Sequence, residues 1–238
     1  MSFHSFSARF TGIVLTAFTL VATGSQAEAQ MQNLFGNVTS AITGGGGGGN
    51  SGNMVLDTYM VSLKTALYNQ IIGIALVQEA QGDKSKAASL RATANAMQSM
   101  KQASKDTIEK SLKAIDENPI NREGLAKVKD ADGQKKIAMA EGHMNIASVY
   151  DAVAVATGAI ALSQVTKGGL ASLLNPGVLQ AIQITMTTLP AQSENAKKFD
   201  EALKAYMAEN KVPALSKGEK TALAKKTDPN AAKQAASF

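Results

Sequence analysis

The chain has 238 residues, a net charge of +5, 20 glycines, five prolines and no cysteine. Charged residues make up 18% of it and apolar residues 45%, an ordinary globular composition that excludes collagen-like, disulfide-rich and wholly disordered classes. The basic residues are interspersed with acidic ones, so the mild excess of positive charge gives no indication of a nucleic-acid partner.

The first 29 residues have the layout of a secretory signal peptide. Arg9 precedes an apolar run over residues 11–23, and Ala27-Glu28-Ala29 has the small-x-small pattern of a cleavage site. The run is shorter than the ~20 residues that span a bilayer, which disfavours an uncleaved anchor. We therefore expect cleavage after Ala29 and a periplasmic or secreted product that is stabilised without disulfides.

Residues 30–53 include six successive glycines, Gly44 to Gly49. Glycine-rich segments lose much conformational entropy when they become ordered, so this composition favours a flexible tether. The lysine and serine or threonine that follow a phosphate-binding glycine loop are missing. The predicted organisation is therefore a disordered linker over residues 30–53, a helical bundle over residues 54–226 and a tail over residues 227–238.

Beyond Met54, apolar residues recur at spacings of three and four, the period of amphipathic helices. The first helix is predicted to stop near Gly82. Asp83 is then the predicted N-cap of a helix from Lys84 to Asn118, about 50 Å long, whose apolar seam is broken at Lys101.

The remainder of the chain also reads as helix, with recognisable starts and stops. The pattern contains no period-two run, so the predicted class is all-α, an elongated antiparallel bundle of four to five helices. The signals are Asn121 as the cap of a short element, a helix after Asp132-Gly133 to about Thr166, a helix from Asn175-Pro176 through Thr188, a helix from Pro190 to Asn210, and a capping box at Ser216 and Glu219.

Residues 152–193 form the most unusual stretch, because Lys167 is their single charged side chain. They have the layout of a hairpin, and the first arm carries small residues at four-residue steps that let helix backbones approach closely. The candidate functional residues of this hairpin are Ala152, Ala156, Gly158, Ile160, Lys167, Gly168, Gly169, Gln180, Gln183 and Thr187.

Two interpretations of this hairpin remain open. It is either the buried central pair of the bundle or a latent membrane-inserting element of a pore-forming type. Against insertion, the uncharged run before Lys167 is only 15 residues, below the spanning length, and the return arm carries several polar residues. Burial within the bundle is the favoured interpretation because it requires no membrane.

Residues suited to catalysis or metal binding are few. His143 is the single histidine after residue 29, and Glu141 lies two positions away, so the two side chains point to different faces of a helix. The run from Asp130 to Gly133 is similar to part of a calcium loop, but Val128 and Met139 would occupy two ligand positions, which favours a helix break. With no cysteine and no nucleophile elbow, we predict no enzymatic activity, no metal and no cofactor.

The predicted function is therefore binding or assembly by an exported, non-enzymatic helical bundle, with a protein partner or self-association. A membrane partner belongs only to the alternative, in which the hairpin inserts. A third possibility is a carrier of a small apolar ligand, which would require a cavity lined by Met139, Met144, Ile160 and Ile184.

Overall fold

The computed structural model describes residues 54–99, 105–120, 122–166 and 194–227. These residues form seven helices and no strand, which confirms the all-α prediction. The predicted signal peptide, the glycine-rich linker, the helix predicted over 176–188 and residues 228–238 lie outside the described residues. The helices are α1 (Met54–Ala80), α2 (Lys84–Ser99), α3 (Lys105–Asp116), α4 (Arg122–Ala126), α5 (Ala131–Thr166), α6 (described over 194–209) and α7 (Lys217–Thr227).

The centre of the bundle is the long contact between α1 and α5. Glu79 near the end of α1 pairs with Lys136 near the start of α5, whereas Asn69 contacts His143, so the two helices run antiparallel. At about 1.5 Å per residue, the 36 residues of α5 extend about 54 Å. The bundle is therefore built along α5, and α1 is enclosed against it.

Helix α1 is buried on nearly all sides. Leu63, Leu67 and Ile71 are fully buried on its predicted apolar side, and Tyr59 and Asn69 on the other side are equally buried. Such a helix is typical of the core of a bundle rather than of its surface. The hydrophobic period therefore identifies this helix, but does not distinguish an outer face from an inner one.

The predicted end of α1 and start of α2 are confirmed. Gly82 has φ +88°, and the N–H groups of Gly82 and Asp83 donate to the carbonyls of Glu79 and Gln78 at 3.0 and 2.8 Å, which forms a Schellman motif. The Asp83 Oδ1 atom then accepts from the Lys86 N–H at 3.0 Å as the N-cap of α2. The backbone N–H of Lys86 also lowers the pKa of the Asp83 carboxyl.

The prediction of one helix from Lys84 to Asn118 is wrong. Helices α2 and α3 pack against each other and both pack against α1, which a straight 35-residue helix would not allow. Ile108 and Met97 are both fully buried, so folding back places both apolar seams against the core. The connection between the two helices contains Lys101, the residue that breaks the predicted seam.

The start of α7 follows the predicted capping chemistry, whereas α5 begins at Ala131, before the predicted start after Asp132-Gly133. Asp130 Oδ1 accepts from the Gly133 N–H at 2.7 Å, so Asp130 is the N-cap of α5, and Asp132-Gly133 lies in the first turn of this helix rather than before it. At α7, the Ser216 N–H donates to Glu219 Oε2 at 2.9 Å and the Glu219 N–H donates to Ser216 Oγ at 3.3 Å. These reciprocal bonds confirm the capping box.

Candidate functional site

The structure describes four of the predicted hairpin residues, all on α5. Ala152, Ala156 and Ile160 lie four residues apart on one half-exposed to exposed face, whereas Gly158 is buried on another face. The other six, Lys167, Gly168, Gly169, Gln180, Gln183 and Thr187, lie outside the described residues. The part of the hairpin that the structure describes is therefore the carboxyl-terminal half of one long helix.

This face of α5 is uncharged from Ser148 to Ile160, about three and a half helical turns. Ile160 is 47% exposed, the large apolar side chain with the greatest exposure among the described residues. Its neighbours on the face are small or β-branched and mostly half-buried. We call this surface the α5 stripe and define it as Ser148, Ala152, Val155, Ala156, Ala159 and Ile160.

Next to the stripe, polar side chains join α5 to α1 inside the bundle. His143 Nδ1 and Asn69 Oδ1 lie 2.7 Å apart, and Gln70 Nε2 donates to Asp151 Oδ2 at 2.5 Å. All four side chains are buried. Sequence reasoning did not identify these contacts, because their members are 74 and 81 residues apart.

His143 is packed rather than solvated. Its burial lowers the pKa of the imidazole to about 4, and the positive charges of Arg91 and Lys226 lower it further. The ring is therefore neutral at neutral pH, and with Nδ1 protonated it donates to Asn69 Oδ1. Because it is 5% exposed and engaged by Asn69, His143 is poorly placed to act on a substrate.

Asp151 lies eight residues further along α5. Its burial raises the pKa of the carboxyl to about 7, against the opposing effect of the hydrogen bond from Gln70. Asp151 Oδ1 and Gln70 Oε1 have no hydrogen-bond partner among the described residues. The sequence signal that could have found this pair is the run Asn69-Gln70 in the middle of an otherwise apolar helix.

The described residues form no metal site, and they include three of the four residues that would line the possible ligand cavity. They contain no group of three histidine, aspartate or glutamate side chains that could hold a metal ion. A Cβ on Gly73 would lie 3.1 Å from Met144 Sδ, so Met144 fills the space between α1 and α5 at this level. Ile184, the fourth predicted cavity residue, lies outside the described part of the chain.

Within the part of the chain that the structure describes, two helices are long and apolar enough to cross a membrane by length and composition. The segments are Thr58–Ala80, with mean hydropathy 1.4, and Ala131–Ala161, with mean hydropathy 1.3. The first is 78% buried and the second 50% buried inside the bundle. Core helices of soluble proteins meet the same criteria, and the burial of the first segment is typical of them.

Comparison with known proteins identifies no relative of this chain. No protein family, no curated protein and no solved structure matches the chain. The candidate site therefore consists of the α5 stripe and the buried polar contacts between α5 and α1.

Proposed function

We propose that this chain is an exported, non-enzymatic helical-bundle protein that works by binding another protein, with the α5 stripe as its binding surface. The observation that carries this proposal is the partial exposure of an uncharged apolar face, on which Ile160 is 47% exposed. An exposed apolar face costs free energy in water, and covering it with a partner recovers that cost.

The shape of the stripe supports a helix as the contacting element of the partner. Ala152 and Ala156 are small residues four apart, which lets a second backbone approach closely. Ile160, at the end of the stripe, provides a larger apolar anchor for a groove on that partner.

The ion pairs on α3 and α6 do not favour a nucleic-acid partner for these two helices. Several lysines lie beside acidic side chains one helical turn away, as in the pairs Lys113–Glu117, Lys198–Glu194 and Lys204–Asp200. Such pairs leave little unbalanced positive charge along these helices, whereas phosphate backbones are bound by uncompensated lysine and arginine.

Export rests on the amino-terminal sequence, with cleavage after Ala29 and a periplasmic or extracellular product. The absence of enzymatic activity is supported by the burial of His143, the single histidine that follows the proposed cleavage site.

The test is capture of a partner by the mature protein from the envelope fraction of the producing cells. The Ile160→Glu variant places a charge on the stripe, and Ala96→Glu places the same charge on an exposed position of α2 as a matched control. We expect Ile160→Glu to reduce capture at least tenfold and Ala96→Glu to leave it unchanged, with equal helicity in both. Equal capture by the two variants, or no specific partner for the wild type, would contradict the proposal.

The second candidate is a membrane-active protein in which the hairpin over residues 152–193 inserts into a bilayer. The observation that favours it is that the segment Ala131–Ala161 is long and apolar enough to span a membrane and includes the first part of this hairpin. Release of dye from liposomes by the mature protein distinguishes the two candidates. We expect the liposomes to stay sealed, and dose-dependent release would favour the second candidate.

A further inference from the structure

The contact between Gln70 and Asp151 joins α1 to α5 through an ionisable group that solvent does not reach. The Asp151 side chain is 4% exposed and Gln70 is 1% exposed. Their hydrogen bond, from Gln70 Nε2 to Asp151 Oδ2, is 2.5 Å long. The protonation state of one buried carboxyl therefore bears directly on how these two helices are held together.

Two oxygens without hydrogen-bond partners indicate that this contact suits the protonated form of the Asp151 carboxyl. Asp151 Oδ1 and Gln70 Oε1 both lack a hydrogen-bond partner among the described residues. An ionised carboxylate and an amide oxygen are both acceptors, so neither can satisfy the other. A proton on Asp151 supplies the missing donor, and a carboxylic acid and a primary amide can then form two hydrogen bonds with each other.

The charged groups nearby do not replace that proton. Among the described residues, the influences on the pKa of Asp151 are its burial and the Gln70 amide. On α1, Lys64 lies six residues before Gln70, and burial lowers the pKa of its amine, whereas Glu79 is paired with Arg91 and Lys136 at the far end. On α7, Lys226 acts on His143, which lies eight residues before Asp151 on α5.

We propose that the Gln70–Asp151 pair is a pH-sensitive contact, in which the protonated carboxyl holds the carboxyl-terminal half of α5 against α1 and loss of the proton to solvent loosens it. An ionised carboxylate enclosed without a cation carries a large desolvation cost. Local opening brings the carboxylate into water and removes this cost, so ionisation favours the open form.

The contact lies next to the binding surface. Asp151 immediately precedes Ala152 of the α5 stripe on the same helix. Opening at Asp151 therefore alters how the stripe is presented, and partner binding becomes weaker as pH rises. This regulatory role rests on the proposed function, whereas the opening itself does not.

Hydrogen exchange of the full mature chain tests the opening. The opening constant is measured for peptides covering residues 144–161 at pH 5.5 and pH 8, in the wild type and in Asp151→Asn. The asparagine amide supplies a donor to Gln70 at every pH. His143 titrates in both proteins, so its effect divides out when the opening constant of the wild type is divided by that of Asp151→Asn. We expect this ratio of opening constants to rise about 30-fold from pH 5.5 to pH 8.

A matched control is Asp116→Asn, which removes an exposed carboxyl at the end of α3. We expect its ratio to the wild type to stay constant with pH. A change of less than threefold for Asp151→Asn, or an equal change for Asp116→Asn, would overturn the proposal.

A direct titration keeps the proposal testable even if the variant folds poorly. The carboxyl carbon of Asp151 in the wild-type protein, followed by NMR, is expected to titrate near neutral pH, and a midpoint near 4 would overturn the proposal. This result is independent of the proposed function. If the Asp151 carboxyl titrates near neutral pH but no partner is captured, the binding role is contradicted and the pH-sensitive contact is not.

Discussion

Replacing His143 with glutamine should change how the stability of the bundle depends on pH. The unfolded imidazole has an ordinary pKa of 6.5, and burial lowers it to about 4 in the folded protein. As pH falls from 6.5 toward 4, the unfolded chain therefore takes up a proton that the folded chain refuses, and the wild type loses stability. The interval between these two pKa values corresponds to about 3 kcal/mol.

Asp151 has the opposite response. Its ordinary pKa of 3.8 is raised to about 7 in the folded protein, so the folded chain holds a proton that the unfolded chain has lost. Stability associated with this proton is complete below pH 3.8 and is lost as pH rises to 7, by about 4 kcal/mol. Between pH 4 and pH 7 the two responses offset each other, and their combined contribution to the wild-type stability is nearly flat.

The assay is urea unfolding followed by circular dichroism between pH 4 and pH 7.5. Glutamine at position 143 retains a donor for Asn69 but does not titrate. We expect His143→Gln to gain about 3 kcal/mol over the wild type as pH falls across this range, and Asp151→Asn to gain about 4 kcal/mol as it rises. Because the double variant loses both responses, its curve should again parallel the wild type. Single-variant curves that parallel the wild type within 1 kcal/mol would refute this reasoning.

Three further predictions concern packing and helix ends. Gly142→Leu should lower the free energy of unfolding by about 1–3 kcal/mol, because a Cβ there would lie 2.8 Å from Leu215 Cδ1, whereas Gly218→Ala, with open space around it, should not lower it. Lys211 has φ 55° at the end of α6, so Lys211→Gly should raise the free energy of unfolding by about 0.5–1 kcal/mol and with it the melting temperature. An unchanged or lower melting temperature would contradict this. Ser216→Ala should cost about 1 kcal/mol by removing the N-cap of α7, seen as faster hydrogen exchange over residues 217–227, and unchanged exchange there would count against it.

Local features of the fold were predictable because each depends on residues close in sequence. The Schellman motif at Gly82, the N-cap at Asp83 and the capping box at Ser216 and Glu219 each involve residues no more than five apart. These motifs depend on backbone geometry and short side chains, which are the same wherever the helix lies in the bundle.

Tertiary features were less accessible. Helices α2 and α3 are separate because both pack against α1. In the sequence, the charged Lys101 was the one sign of this division. Small-residue spacing placed Ala152 and Ala156 on a shared face and Gly158 in a second series, but it could not show that the first face is partly exposed and that Gly158 is buried. The pairing of Asp151 with Gln70 joins residues 81 apart, so periodicity within either helix carries no information about it.

The enclosure of α1 by α5 has a consequence for the order in which the chain folds. Helix α1 is complete at Ala80 and α2 packs against it first, but its main packing partner begins at Ala131, so fifty residues separate the end of α1 from that partner. Contacts this distant in sequence form late and slow the search for the native state. During that interval, an apolar helix is prone to aggregation. Asn69 and Gln70, in the middle of its apolar segment, reduce the apolar surface of the nascent helix, and the same two amides later join α1 to α5.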